Sequence, residues 1–387
     1  MWSIAGLVIM NVVAQFAVYP ILNNRLGVEE YGDIIYLLSI MNIIAISAGS
    51  ACNYARMRNS ADGETFNIQY IVALIILSIV AVISFILMNL FGITKLSTLN
   101  LFLFILLTIL TMWRFYADVE YRLSLNYIGY FLYYLSITVG YIIGIGLFFI
   151  TNLWQLAFIP GEILGLAMVF FKGKILCIDA KIDKRMFWDI FKLVSVLFVT
   201  DFISSFVFNA DRILLKTVMN GTAVAIYYLA SLLGKTMSLI TTPLNSVMIG
   251  YLAKYKGKMD VRFMNICTMA SMIAVIFVTF GCTMVSHIIL PILYSDQYLA
   301  TKEYLIIANA SQVLYFVANT VTVILLRFSA SKYQIYVNLV YAIAFIALCI
   351  PAAVFFDMHI FCYALFTTCL LRLIVSLGLG YKDALKG

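Results

Sequence analysis

Glu162, Asp201, Lys235 and Arg372 stand deep inside long apolar runs of this 387-residue chain. Facing lipid, each charge would cost about 2.5–3.5 kcal/mol on insertion scales, so all four are expected to point inward and find partners. Asp201 and Lys235 fall at similar depth on consecutive runs. An ion pair is one reading of them, and a buried pair that only fixes packing is the other. Arg372 has no acid on its own or the preceding run, a pattern that suits contact with an anion. Glu162, within Pro160-Gly161-Glu162, is either a titrating group used in coupling or a hydrogen-bonded carboxyl of structural use.

Uncharged polar residues are spaced as regularly. Ser231, Lys235, Ser238, Thr242 and Asn245 recur every three or four positions and therefore share one helical face. Asp201, Ser205, Asn209 and Arg212 repeat that spacing. Asn11, Gln15 and Tyr19 do so in the first run, while Ser39, Asn42, Gly49, Asn53 and Arg56 mark the second. Stripes of this kind are either helix–helix glue or the wall of a hydrated cavity, and their number and length favour the cavity.

The elements that must position these residues are membrane helices. The chain is 64% hydrophobic and only 11% charged, against roughly 25% charged in soluble domains. Twelve apolar spans are expected at about 2–22, 34–53, 68–91, 99–113, 127–150, 153–171, 190–210, 223–250, 263–290, 304–326, 333–356 and 359–380. Stretches this long satisfy their backbone groups in hydrocarbon only as helices. The expected class is an all-α polytopic membrane protein. Its lobes are 1–171 (helices 1–6) and 190–387 (helices 7–12), joined by a hydrophilic linker at 172–189.

Basic residues alternate between the gaps. Arg56, Arg58, Arg114, Arg122, Lys172, Lys174 and Lys192 are among those on one side, and Arg25, Lys95, Arg212, Lys216 and Lys302 are all that the other side holds. By the positive-inside rule the richer set is cytoplasmic, which places both termini inside. This topogenic role accounts for the net charge of +7, so no nucleic-acid partner is expected. The first run lacks a basic leader and is too long for a cleavable signal. Seven cysteines form no CxxC pair and the two histidines make no metal set, so no cofactor or metal is expected.

A short internal repeat supports two halves. Tyr36-Leu-Leu-Ser-Ile-Met and Tyr228-Leu-Ala-Ser-Leu-Leu are offset by 192 residues, and each opens the second helix of its half. With an even number of spans per half the repeats run parallel, the arrangement of two lobes that rock in alternating access.

Several segments carry a resemblance. Arg25-Leu-Gly-Val-Glu-Glu-Tyr-Gly32 joins spans 1 and 2, Asn209-Ala-Asp-Arg212 ends span 7, and Ile226-Tyr-Tyr-Leu-Ala230 opens span 8. Ile289-Leu-Pro-Ile-Leu-Tyr-Ser-Asp-Gln-Tyr298 and Leu326-Arg-Phe-Ser-Ala-Ser-Lys332 flank span 10. In order and spacing these resemble the bacterial O-antigen and polysaccharide repeat-unit flippases of the multidrug/oligosaccharidyl-lipid/polysaccharide exporter superfamily. Ser-Ala-Ser-Lys stands where a Gly-Lys is common, and the segment before span 1 is very short.

The resemblance implies a MATE-like V-shaped bundle of two six-helix lobes in the bacterial inner membrane. It implies a substrate too: a polyprenyl-diphosphate-linked oligosaccharide bound for O-antigen, capsule or exopolysaccharide, with a polysaccharide polymerase and chain-length machinery as partners. On that reading Lys235 and Arg372 contact the diphosphate, and Arg56 and Arg58 attract it at the cytoplasmic mouth. Asn11, Gln15, Asn42 and Asn245 line the passage, while Asp201 and Glu162 serve as coupling or ion-pair carboxylates. A drug-cation exporter of the same fold, which should have an acid-dominated cavity, and a major-facilitator carrier are the rival transporters. No phosphate-binding loop of the GxxxxGK[ST] type and no catalytic constellation is present, so an enzyme is not expected.

Overall fold

The computed structural model describes residues 2–62, 66–178, 183–241, 244–245, 248, 259–328 and 332–385. Among these the chain is helical throughout, and eleven helical stretches are long and apolar enough to cross a bilayer. Thr242, Lys254, Lys256 and Lys258 lie outside the described residues.

The first span is α1 (Trp2–Val13), a π-turn (Ala14–Val18) and α2 (Tyr19–Leu26). Pro20 stands two residues past the π-turn and has no N–H to donate, so the helix widens rather than breaks. The same device recurs near the other end. There α14 (Lys332–Ala344) passes through a π-turn (Phe345–Cys349) into α15 (Ile350–Phe355), with Pro351 next. Gly27, at φ +88°, ends α2 in one residue and releases α3 (Val28–Asp62).

Then come α4 (Asn67–Leu90), α5 (Thr98–Ala117), α6 (Val119–Leu123), α7 (Tyr127–Thr151), α8 (Ile159–Lys172), α9 (Lys184–Val218) and α10 (Gly221–Thr236). The chain ends with α11 (Val261–Leu293), α12 (Ser295–Thr301), α13 (Leu305–Phe328), the α14–α15 span and α16 (Met358–Ala384). Polar N-caps fix many starts. Asn126, Asn220, Asp260 and Asp357 each accept a backbone N–H at 2.8–3.0 Å.

Three expected spans are redrawn. The fourth continues past Trp113 through α5 and, after a turn at Asp118, through α6 to Leu123. Arg114 is therefore a residue of the helix, not of a loop. The sixth is shorter than expected: a 3₁₀ turn (Trp154–Ala157) precedes α8, whose 14 residues rise only about 21 Å against a hydrocarbon core of about 30 Å. Left-handed Asn152 (φ +56°) ends α7, and Pro160 at the start of α8 prevents one continuous helix. The seventh, α9, extends to Val218 and so takes in Arg212 and Lys216, which were expected in a gap.

Contacts divide the described chain into two compact units. One comprises Met1–Gly27 and Tyr36–Ile213, the other Val28–Ile35 and Leu214–Gly387. In the first, α7 packs on α1 and α8, and α5 packs on α4 and α8. Small residues permit this: a Cβ on Gly140 would strike the backbone of Gly161, and one on Gly165 would lie 2.7 Å from Ile137 Cγ1. In the second, α13 is central, packed by α10, α11 and α16. Residues 28–35 belong to it through Tyr31, fully buried against Tyr228 and Tyr294, through a Gly32–Gly221 backbone approach, and through the Asp33–Lys216 ion pair.

The outward faces are apolar. Ile79, Val80 and Ile83 on α4, Ile142 and Ile143 on α7, and Met269, Met272, Ile276 and Phe280 on α11 are all exposed. Such surface suits acyl chains, not water.

Candidate functional site

The first unit encloses a cavity of about 200 Å³. Asn11 of α1, Asn42 of α3, Thr111 and Arg114 of α5, Tyr141 of α7 and Glu162 of α8 supply its polar wall. Leu7, Met10, Leu38, Met41, Phe115 and Phe158 supply much of the apolar one. A mostly apolar lining with a few convergent polar groups is the usual composition of a ligand site.

An ion pair dominates its chemistry. Arg114 Nε donates to Glu162 Oε2 at 2.5 Å, and the two side chains are 7% and 3% exposed. Tyr141 donates its hydroxyl to the other carboxylate oxygen at 3.0 Å. The guanidinium also lies over the Phe115 ring, 4.3 Å from its centroid. Arg114 stands 16 residues into α5, about 24 Å along that helix, so the pair is well inside the unit. Gly161 sits against the Tyr141 ring with no room for a Cβ, which brings α8 close enough for the neighbouring Glu162 to reach its partners.

One turn further along, Asp118 is 2% exposed and accepts four hydrogen bonds. They come from Asn53 Nδ2 (2.5 Å), Arg122 Nη2 (2.8 Å), Tyr130 (3.1 Å) and Tyr134 (3.2 Å). Sequence reading assigned Arg114 and Arg122 to topogenic loops and gave Asp118 no role. A signal was present: Leu107, Thr111, Arg114 and Asp118 recur every three or four residues on one face.

The second unit carries a different centre. Arg372 of α16 is 4% exposed and donates from Nη2 to Asn319 Oδ1 of α13 at 2.7 Å and to Asn338 Oδ1 of α14 at 3.0 Å. Its guanidinium lies 4.1 Å from the centroid of Tyr315 and 5.3 Å from that of Tyr341. Each wall comes from one helical face, since Tyr315 and Asn319 are four residues apart and Asn338 and Tyr341 three. All these partners are neutral. Among the described residues, Nε and Nη1 of Arg372 have no hydrogen-bond partner.

Lys235, on α10 of the same unit, is 7% exposed. The preceding Gly234 donates its N–H to Asn309 Oδ1 at 2.7 Å, and its missing side chain lets α10 lie against Asn309 and Gln312 of α13. Gln312 in turn donates to Tyr227 at 3.0 Å. Asn245 accepts from Thr320 at 2.9 Å.

The remaining expected residues are placed as follows. Asn11 and Asn42 line the first unit's cavity, whereas Gln15 lies in the π-turn and is not part of that lining. Asp201, half-buried on α9, belongs to the first unit, and its Oδ2 has no hydrogen-bond partner among the described residues. Arg56 donates to Asn67 Oδ1 at 2.9 Å and lies over the Tyr70 ring, while Arg58 is exposed. No group of His, Cys, Asp and Glu able to hold a metal occurs among the described residues.

No protein-family profile and no curated protein matches the sequence. Solved structures do match. The lipid II flippase MurJ in an inward closed conformation superposes with a TM-score of 0.73 at 14% identity, covering 100% of this chain and 87% of that one. A MATE in complex with MaD3S gives a TM-score of 0.65 at 12% identity, covering 100% and 94%. An outward-facing multidrug resistance MATE family transporter of the MOP superfamily gives 0.61 at 12% identity, covering 100% and 93%. The chain is an all-α polytopic membrane protein with the fold of these MurJ and MATE structures.

Proposed function

We propose that the chain is an alternating-access transporter that moves a polyprenyl-diphosphate-linked oligosaccharide across the bacterial inner membrane, with both termini cytoplasmic. The carrying observation is the interior of the second unit. Lys235 and Arg372 are buried there, and no acid is buried in that unit among the described residues. A buried guanidinium with only neutral partners favours an incoming anion, and a diphosphate supplies one with oxygens that suit the free Nε and Nη1 donors. The first unit's cavity complements it. Asn11, Asn42 and the Arg114–Glu162 pair offer donors and acceptors to sugar hydroxyls, and Tyr19, Tyr141 and Phe158 offer ring faces.

The two lobes of this mechanism are 1–171 and 190–387, with 172–189 as linker. Arg56 and Arg58 are the cations at the cytoplasmic mouth. A polysaccharide polymerase with its chain-length machinery would consume the product. An ion-coupled multidrug exporter is the second reading, and the matches to MATE transporters favour it. Against it stands the cationic second unit, which would repel a cationic drug.

The test uses the chain in proteoliposomes with a fluorescent polyprenyl-diphosphate-oligosaccharide and, separately, a cationic dye. Arg372→Ala and Lys235→Ala should each abolish glycolipid translocation at normal protein abundance. Full translocation by both variants would overturn the assignment. Dye export without glycolipid movement by the wild type would establish the second reading instead.

A further inference from the structure

A second pocket, of about 320 Å³, opens in the first unit apart from the cavity described above. Four chain segments line it: Arg56 of α3, Asn67 at the start of α4, Glu120, Leu123 and Ser124 around α6, and Lys174 and Ile175 just after α8. These are the segments whose gaps hold Arg58, Arg122 and Lys172, so the pocket belongs to the end of the unit that the basic loops assign to the cytoplasm.

Its walls are held by the fold. Glu120 Oε2 accepts the consecutive backbone N–H groups of Lys174 and Ile175, at 2.9 and 2.8 Å. Asn67 Nδ2 donates to the carbonyls of Lys174 (2.9 Å) and Cys177 (3.3 Å) while its Oδ1 accepts from Arg56. Gly173 permits this, because a Cβ there would sit 3.0 Å from the Glu120 side chain and 2.7 Å from the Val169 carbonyl. The one carboxylate of the lining is thus committed to two backbone donors. The Ser124 hydroxyl is donated to the Glu120 carbonyl at 2.7 Å, so the pocket's cationic chemistry comes from exposed Lys174 and from Arg56, whose Nη2 is held by neutral Asn67, and the lining has one more base than acid.

The surroundings are greasy. Leu123, itself a lining residue, is 39% exposed, and Leu125 beyond it is 67% exposed. Phe170 and Phe171, just before Lys172, are 61% and 81% exposed. Free phosphate gains nothing from Leu123 or from the exposed apolar side chains that flank the lining in sequence. A phosphate that carries acyl chains gains from both parts, the head in the basic pocket and the chains along the leucines and phenylalanines.

We propose that this pocket binds the headgroup phosphate of an anionic phospholipid from the leaflet facing the basic loops. Its lipid is resident and not transported, and the pocket shares Arg56 with the cytoplasmic mouth of the proposed function. Its occupant ties the end of α8 to α3, α4 and α6 through one phosphate.

The experiment measures binding and thermal unfolding of the purified full-length chain in detergent, so it is independent of transport. Titrants are phosphatidylglycerol, phosphatidylcholine and inorganic phosphate. Lys174→Gln removes a charge whose side chain is exposed, and Ser124→Asp puts an acid into the pocket while leaving the Glu120 carboxylate and Asn67 bonds in place. Phosphatidylglycerol should bind and raise the unfolding temperature, with phosphatidylcholine and inorganic phosphate giving much smaller shifts. Lys174→Gln should weaken phosphatidylglycerol binding about fivefold, the effect of one basic side chain near an anionic surface, and Ser124→Asp should weaken it further. Equal shifts from the two lipids, or unchanged binding in both variants, would overturn the site. Inorganic phosphate that matched phosphatidylglycerol would overturn the lipid assignment.

Discussion

Removing one partner of the Arg114–Glu162 pair should cost more than removing both. In Glu162→Ala the guanidinium of Arg114, only 6% exposed, keeps its charge and loses its counter-charge. Breaking a buried pair this way costs about 3–5 kcal/mol, and Arg114→Met, which strands the carboxylate, should cost about the same. Replacing both by apolar side chains of similar volume is neutral or mildly stabilising in comparable cases. Arg114→Met with Glu162→Leu should therefore recover most of the loss, leaving a coupling energy of several kcal/mol in the double-mutant cycle. Tyr141 moderates this, because its hydroxyl then loses the acceptor it holds at 3.0 Å, worth about 1–3 kcal/mol. The assay is thermal unfolding of the four purified proteins in one detergent, read beside translocation in proteoliposomes. A double variant whose loss equals the sum of the single losses would refute the buried-pair account. A stable double variant that fails to transport would give the pair a part in the cycle beyond packing.

Two further outcomes are expected. Gly32→Ala drives a methyl into the Gly221 carbonyl and should sharply lower folded abundance, whereas Gly146→Ala, with nothing within 4 Å of the new methyl, should match or exceed wild type by about 0.5–1 kcal/mol. Fluorescence-detected size-exclusion of both variants checks this, and equal abundance would contradict the close approach. Arg372→Lys keeps the charge but not a planar group able to bridge Asn319 and Asn338 between Tyr315 and Tyr341. It should lower thermal stability by about 1–3 kcal/mol and transport only in part, while wild-type behaviour in both assays would mean that charge alone matters there.

What the sequence made legible follows from what hydrophobic periodicity can see. Long apolar runs identify α4, α7, α9, α11 and α16, because a helix crossing lipid must be apolar over most of its length. Three- and four-residue spacing finds Asn11 and Asn42, which do line one cavity. The same logic misplaced Arg114. An arginine near a span end looks topogenic, and only α8 folding back against α5 supplies the Glu162 that makes burial tolerable. That contact joins residues 48 apart in sequence, beyond any local pattern. The short α8 was hidden for a related reason. Trp154-Gln-Leu-Ala157 is apolar enough to extend a span on paper, but Asn152 and Pro160 break the hydrogen-bond ladder on either side of it. The π-turns were equally invisible, although in hindsight Pro20 and Pro351 mark both.

Buried charge is handled differently in the two units, and the difference bears on what they can bind. In the first, Arg114 faces Glu162, and Arg122 faces Asp118 beneath a set of tyrosines. Buried Arg114 has its acid at 2.5 Å, so its desolvation is offset internally, whereas Arg122 is 38% exposed and buried Arg212 donates to the Ser39 hydroxyl. In the second, Arg372 is buried among amides and aromatic rings, partners that orient a guanidinium without neutralising it. Lys235 adds a second buried cation to the same unit. A protein that needed only packing there could have used leucine at lower cost. With no acid buried in that unit among the described residues, burying Arg372 among neutral partners makes sense when negative charge arrives with a ligand. The first unit then contributes neutral polar contacts and ring faces, the chemistry of sugars, while the second contributes charge. On the proposed function, the glycan suits the polar lining of the first unit's cavity and the diphosphate suits Arg372, whereas a lipophilic cation brings no negative charge to that guanidinium.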